Sequence, residues 1–236
     1  NMLTQPIRPF EFTPPVIDVL KYRLLALKPI STLIFASPFL RSRLTRREIN
    51  ERILEMPFVL SRVSGCVLDV GANESPVSLM LASVGHEITA LDLRRLSFEH
   101  PNLINVCADI TKFIKKDYFD TVICLSTLEH IGLEIYGGAK MANGDQLAIN
   151  NIYVSLKPRG KLLLTVPVSA KYFNTPSWRS YDLTSLKKLL LKFGKVNLRF
   201  GIRDDKQHWS LVNTIPKNHP FDPHMPSAVA LIEAIK

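Results

Sequence analysis

Four short apolar runs each end in residues able to hold a ligand. Cys66-Val67-Leu68-Asp69-Val70 leads into Gly71-Ala72-Asn73-Glu74-Ser75, and Glu87 to Leu91 ends at Asp92, 21 positions beyond Gly71. Leu103 to Val106 is followed by Cys107-Ala108-Asp109-Ile110, and Phe119 to Leu125 by Ser126-Thr127-Leu128-Glu129-His130. A glycine after the first run lets backbone approach a ligand closely, and a helix that follows offers unpaired N–H groups. A carboxylate at Asp92 accepts two donors at once, which suits a ribose diol. One at Asp109 suits the exocyclic amine of an adenine ring. Each acid alone reads as a turn or helix cap. Acids after three successive runs, at an interval that fits a nucleoside, point to a shared binding site.

The apolar runs read as buried strands, because they are continuous rather than alternating. Helical patterns separate them. Ser75 to Val84 is a helix with Ser75 as cap, Pro76 at its first position and Gly85 at its end. Asp145 to Leu156 is a second, stopped by Pro158-Arg159-Gly160; Leu183 to Phe193 is a third, with Asp182 as cap. Lys161 to Val166, Lys195 to Phe200 and Ala228 to Ile235 complete the strands. Strand–helix alternation gives an α/β fold, a doubly wound and mostly parallel sheet whose ligands bind beyond the carboxyl ends of the strands.

A dinucleotide site requires G-x-G-x-x-G to make room for a pyrophosphate. Here the loop is Gly71-Ala72-Asn73-Glu74-Ser75-Pro76, with a single glycine and an acid that would repel a diphosphate. A cationic sulfonium would not be repelled. Val67-Leu68-Asp69-Val70-Gly71, Asp92, Asp109, Phe119-Asp120-Thr121-Val122-Ile123 and Leu156-Lys157-Pro158-Arg159-Gly160-Lys161-Leu162 resemble, in order, the motifs of a class I (Rossmann-like) S-adenosylmethionine-dependent methyltransferase. The resemblance covers about residues 65–200 and is similar to the small-molecule methyltransferases of ubiquinone and menaquinone biosynthesis. It implies a seven-stranded sheet whose last strand, Ala228 to Ile235, is antiparallel. It implies S-adenosylmethionine as cofactor, with Asp69 and Gly71 at the methionine end, Asp92 on the ribose, Asp109 on the adenine amine and Ser126 at the cofactor's edge. Ala72, Asn73, Glu74, Ser75, Leu93, Arg94 and Ile110 belong to the same cofactor set, with Leu93 packing on adenine. The family usually has glycine where Asn73 stands, and often where Ser75 stands. Asn tolerates positive φ better than other side chains, so the turn is expected to survive.

The acceptor is read from the segment after the fourth strand. Leu125-Ser126-Thr127-Leu128-Glu129-His130-Ile131-Gly132 lacks the Asn/Asp-Pro-Pro-aromatic run of base-amino methylation and resembles small-molecule methyltransferases. An O or N atom of a small molecule, a glycan or lipid-linked intermediate among the options, is the expected acceptor. An alcohol needs a base, and His130 is the candidate, with Glu129 beside it; the alternative is that His130 shapes the pocket. Gly132 to Gly138 reads as a lid or an ordinary loop. Tyr136, Tyr172, Trp178 and Arg179 are candidate acceptor contacts, or core. No His is spaced with carboxylates or thiols as a metal site would require, so no metal is expected.

The chain has 236 residues, 30 Lys+Arg and 21 Asp+Glu, for a formal charge of +9, and three cysteines. Three cysteines cannot form a disulfide framework, which fits a reducing, cytoplasmic setting; Cys66, Cys107 and Cys124 read as small buried hydrophobes. Residues 1–64 carry a net +5 and residues 65–236 a net +4. This division suggests a basic N-terminal helical extension over 1–64 that caps the acceptor side of a methyltransferase domain over 65–236. Thr45 to Glu55 reads as an amphipathic helix stopped by Pro57. The acid-free 21–47 stretch reads as a helical cap, or as a surface for anionic lipid, phosphate-bearing substrate or nucleic acid. Its longest uncharged run, 12 residues, is too short to span a membrane. Nucleic acid is not the expected partner. RNA or protein methylation through the basic face is one alternative function, and non-catalytic cofactor binding is another.

Overall fold

The computed structural model describes residues 50–204, 208–216, 219 and 226–236. The acid-free stretch and the expected start at Thr45 lie outside these residues.

The first described helix, α1, spans Arg52–Leu60 and runs through Pro57 rather than stopping before it. The missing proline N–H would have paired with the Ile53 carbonyl. Pro57 and Ile53 both lie on the solvent side, so water can take that carbonyl. The opposite side buries Glu55 and Val59.

Strand β1 is Val67–Val70 and is wholly buried. A 3₁₀ turn at Ala72–Glu74 links it to helix α2, Val77–Ser83. Pro76 occupies the N-cap position there, one place earlier than expected, and the Ser75 hydroxyl accepts from the Val77 N–H at 3.2 Å. Strands β2 (Ile88–Asp92), β3 (Leu103–Cys107) and β4 (Phe119–Leu125) follow. Helix α3 (Gly144–Ser155) then leads into β5 (Leu156–Pro167), and the two-residue strands β6 (Phe173–Asn174) and β7 (Arg179–Ser180) pair with each other. Helix α4 (Leu183–Leu189) has Asp182 as its cap, with a reciprocal bond from Ser185, as expected. Strands β8 (Lys195–Arg203), β9 (Trp209–Val212) and β10 (Ala228–Ile235) complete the fold.

The sheet has eight strands in the order β3-β2-β1-β4-β5-β10-β8-β9. Strands β1 to β5 run parallel, and β10 enters antiparallel between β5 and β8. One strand more than the expected seven is present: β9, an edge strand antiparallel to β8. Its Trp-Ser-Leu-Val sequence is too short to separate from a loop by periodicity. The described helices cover the faces of this doubly wound α/β sheet, with one apolar cluster around Leu68, Phe119, Ile152 and Ile232 and a second around Val67, Leu81, Ala90 and Ile123. The chain leaves β1 in one direction and returns through β4 on its other side. The crevice at this reversal lies between Gly71 and Ser126. No described helix is long and apolar enough to cross a membrane.

The cysteines are not uniformly buried. Cys124 is, Cys66 is half-buried, and Cys107 is exposed with its thiol 3.1 Å from the Leu93 carbonyl. Cys107 ends a strand nearer the sheet edge, where fewer side chains cover it.

Candidate active site

A cavity of about 500 Å³ opens at the strand ends. Gly71 lines it, with φ +80°, a conformation that disfavours any Cβ. A Cβ there would also strike the Thr127 side chain. The turn is thus fixed by glycine against threonine across the crevice.

Asp92 and Asp109 line the same cavity. Asp92 is only 6% exposed and already organises the rim. Its Oδ2 accepts from the Asn73 N–H at 3.1 Å; its Oδ1 accepts from the Arg94 N–H at 2.9 Å and Arg94 Nε at 3.2 Å. Asp109 accepts the Thr111 N–H at 2.8 Å. Leu93, Arg94, Ile110 and Ser126 also line the cavity.

Asp69, Ala72, Asn73 and Ser75 are not part of its lining. Asp69 is buried and accepts a 2.6 Å bond from the Ser78 hydroxyl of α2. Burial pushes its carboxyl up to about 6, partly offset by that bond. Asn73 acts through its backbone on Asp92, and Ala72 packs in the core. Only the backbone of Glu74, at the end of the 3₁₀ turn, is described.

The far wall comes from the segment after β4 and from α1. Ser126 has φ +42°, and its hydroxyl donates to Glu55 Oε1 at 2.6 Å. Glu55, 0% exposed, also accepts from Arg52 Nη1 at 3.1 Å. Glu51 and Arg52 themselves line the cavity. Sequence reasoning missed all three as site residues. They precede the recognisable domain, and their helical charge spacing looked like a solvated face.

Glu129 lies in a 3₁₀ turn, Leu128–His130, and is 2% exposed. Its Oε2 has no hydrogen-bond partner among the described residues. Burial above all, then Glu55 and Glu51 nearby, holds its carboxyl well above the ordinary range, while Arg52 opposes them. His130 Nδ1 lies 2.6 Å from the Ser177 carbonyl, which makes Nδ1 the protonated nitrogen of the neutral ring. The lone pair then sits on Nε2, 3.9 Å from Glu129 Oε1.

Of the four aromatic and arginine candidates, Tyr136 and Trp178 line the cavity and Tyr172 and Arg179 do not. Arg179 is buried and donates to the Ile131 carbonyl at 2.7 Å and the Glu129 carbonyl at 3.3 Å, so it fastens the post-β4 turn. Tyr172 borders two separate clefts. Tyr136 is 50% exposed, stands edge-on to His130 and carries the Arg94 guanidinium 4.8 Å above its ring. Its loop is pinned at the base, where the Met141 N–H donates to the Gly132 carbonyl at 2.9 Å.

Residues 68–164 match a family profile described as a methyltransferase domain. The fold is that of the class I S-adenosylmethionine-dependent methyltransferases. Solved structures share its fold. The Burkholderia thailandensis 1,6-didemethyltoxoflavin-N1-methyltransferase, solved with bound 1,6-didemethyltoxoflavin and S-adenosylhomocysteine, is 18% identical (TM-score 0.53, covering 100% of this chain and 98% of that one). The N-methyltransferase NodS of Bradyrhizobium japonicum, solved with S-adenosylhomocysteine, is 14% identical (TM-score 0.52, 93% and 97%). A methyltransferase of Archaeoglobus fulgidus is 14% identical (TM-score 0.54, 94% and 100%). No curated protein matches the chain significantly.

The methyltransferase domain fits a sulfonium nucleoside on its own geometry. The Gly71 turn leaves backbone bare at the crevice, two carboxylates stand on the rim, and the lining is rich in acids rather than phosphate-binding cations.

Proposed function

We propose that this methyltransferase transfers the methyl group of S-adenosylmethionine to an O or N atom of a small-molecule acceptor. One observation carries the reading. A single cavity joins the nucleoside-type rim of Gly71, Asp92 and Asp109 to a wall of Glu129, His130, Tyr136 and Trp178. Donor and acceptor would therefore share one space.

When bound, the cofactor supplies an electrophilic methyl on a sulfonium. Asp92 and Asp109 would hold the ribose and adenine ends, and Gly71 and Ser126 would flank the methionine end. Tyr136 and Trp178 offer flat faces for the acceptor. Holding the reactants together is the main contribution expected of the protein. His130, through Nε2, is placed to take a proton that the acceptor loses. The segment before residue 65 serves as the acceptor-side cap, since α1 contributes Glu51 and Arg52 to the wall. Its 21–47 stretch would meet an anionic or membrane-associated substrate, in a cytoplasmic setting.

Thermal denaturation with S-adenosylhomocysteine, and with NAD as control, tests this. Saturation at 100 times Kd adds about 2.7 kcal/mol of stability. A shift with the S-adenosyl compound alone is expected; no shift overturns the reading.

A further inference from the structure

The charge of the cavity differs from that of the chain. Within a protein of formal charge +9, the described residues lining the cavity include four carboxylates (Glu51, Asp92, Asp109, Glu129) and two guanidiniums (Arg52, Arg94). Both guanidiniums are engaged with acids. Arg52 donates to Glu55 at 3.1 Å, and Arg94 to Asp92 at 3.2 Å. Glu51 and Glu129 have no Lys or Arg within salt-bridge distance among the described residues. A sulfonium donor, whose own carboxylate and ammonium cancel, brings one positive charge. It leaves the Glu51–Glu129 wall without a cation, and a guest cation there would favour the ionised carboxylates that burial disfavours.

Glu129 sharpens this. Its Oε2 is sealed from water and unpartnered among the described residues, yet the residue is part of the cavity wall. A buried carboxyl oxygen without a donor is destabilising. A guest N–H would remove that cost. The neighbouring faces suit a ring or flat body: Tyr136 and Trp178 line the same space, and His130 stands edge-on to Tyr136 with centroids 5.6 Å apart.

We infer that the acceptor is a basic amine, recognised as its ammonium by Glu129 Oε2 with Glu51 adding charge, and methylated on nitrogen. This rests on the methyl-transfer reading above. The ammonium gives one proton to His130 Nε2, 3.9 Å from Glu129 Oε1, and the freed lone pair forms the C–N bond. The methyl–sulfur bond breaks as that bond forms, and the sulfur keeps its electron pair. The product is an N-methylammonium, still a cation against the same wall.

The test uses the full chain and separates the two claims. S-adenosylhomocysteine binding is measured first by calorimetry. If it does not bind, the methyl-transfer reading falls and the inference with it. The saturated protein is then titrated with benzylamine, benzyl alcohol and phenylacetate, three probes that share one ring. Benzylamine is expected to bind at least about tenfold more tightly than the other two, the equivalent of about 1.4 kcal/mol. Glu129→Gln is expected to abolish that preference while leaving S-adenosylhomocysteine affinity within about twofold. Glu51→Gln, on a half-buried residue, is expected to reduce the preference severalfold and serves if Glu129→Gln does not fold. Equal binding of all three probes, or no binding of benzylamine, overturns the inference. So does a Glu129→Gln variant that loses S-adenosylhomocysteine as strongly as benzylamine, because the orphan oxygen would then belong to the donor's own ammonium.

Discussion

The two walls of the cavity are built in different ways. The rim of Gly71, Asp92 and Asp109 is local: each residue lies at or within two residues of its strand's end, and its hydrogen bonds reach at most 20 residues along the chain, from Gly71 to Leu91. The opposite wall is assembled at long range. Ser126 meets Glu55 across 71 residues, and His130 meets Ser177 across 47. A local rim is set by strand ends and turns, so it depends on little else. A long-range wall depends on every element that brings its parts together, and its chemistry can change without disturbing the rim.

Breaking the rim should have the largest effect. Gly71→Ala places a Cβ against Thr127 at positive φ. We expect a stability loss of about 1–3 kcal/mol from strain alone, and S-adenosylhomocysteine binding should vanish in calorimetry. Asp92→Ala removes a charged acceptor, for which about 1.5–3 kcal/mol is usual. S-adenosylhomocysteine should bind about 10- to 100-fold more weakly, while acceptor probes on the saturated protein are unaffected.

Asp69 tests whether the layer behind the rim is independent of ligand. Its folded carboxyl is raised to about 6 from an ordinary 3.8. Protein stability from this group is therefore fully present below about pH 4 and is lost as pH rises through 6. At neutral pH the penalty is at most about 3 kcal/mol. Asp69→Asn should flatten urea midpoints between pH 4 and 6 and raise stability at pH 7. An unchanged profile would place the titration elsewhere. The smallest effect is expected from Tyr136→Ala, which removes an exposed contact with Arg94 worth about 0.5–1 kcal/mol. Acceptor KM should rise a few-fold with stability nearly unchanged.

This contrast also explains what could be read from the sequence. Strands β1 to β5, the reversal at Gly71, the antiparallel β10 and the Asp182 cap follow from apolar runs and capping chemistry. Asp92 and Asp109 were legible because each lies at or just beyond the carboxyl end of its strand. Glu51, Arg52 and Glu55 were not, since nothing in a helix with alternating charges says that one side faces a cavity 71 residues away in sequence. Arg179 and Trp178 adjoin, yet one is buried under the post-β4 turn and the other faces the cavity. Which way two adjoining side chains turn at the start of a two-residue strand is decided by packing.

The bonds already made by Asp92 bear on how tightly any ligand can hold there. A hydroxyl that reaches this carboxylate enters an occupied network of Asn73 and Arg94 donors. Its arrival is an exchange, and the measured enthalpy is a small difference between bonds gained and bonds given up. Affinity at that position is then governed less by the strength of the new contact than by how readily Arg94 retains its place over the Tyr136 ring once its grip on the carboxylate loosens.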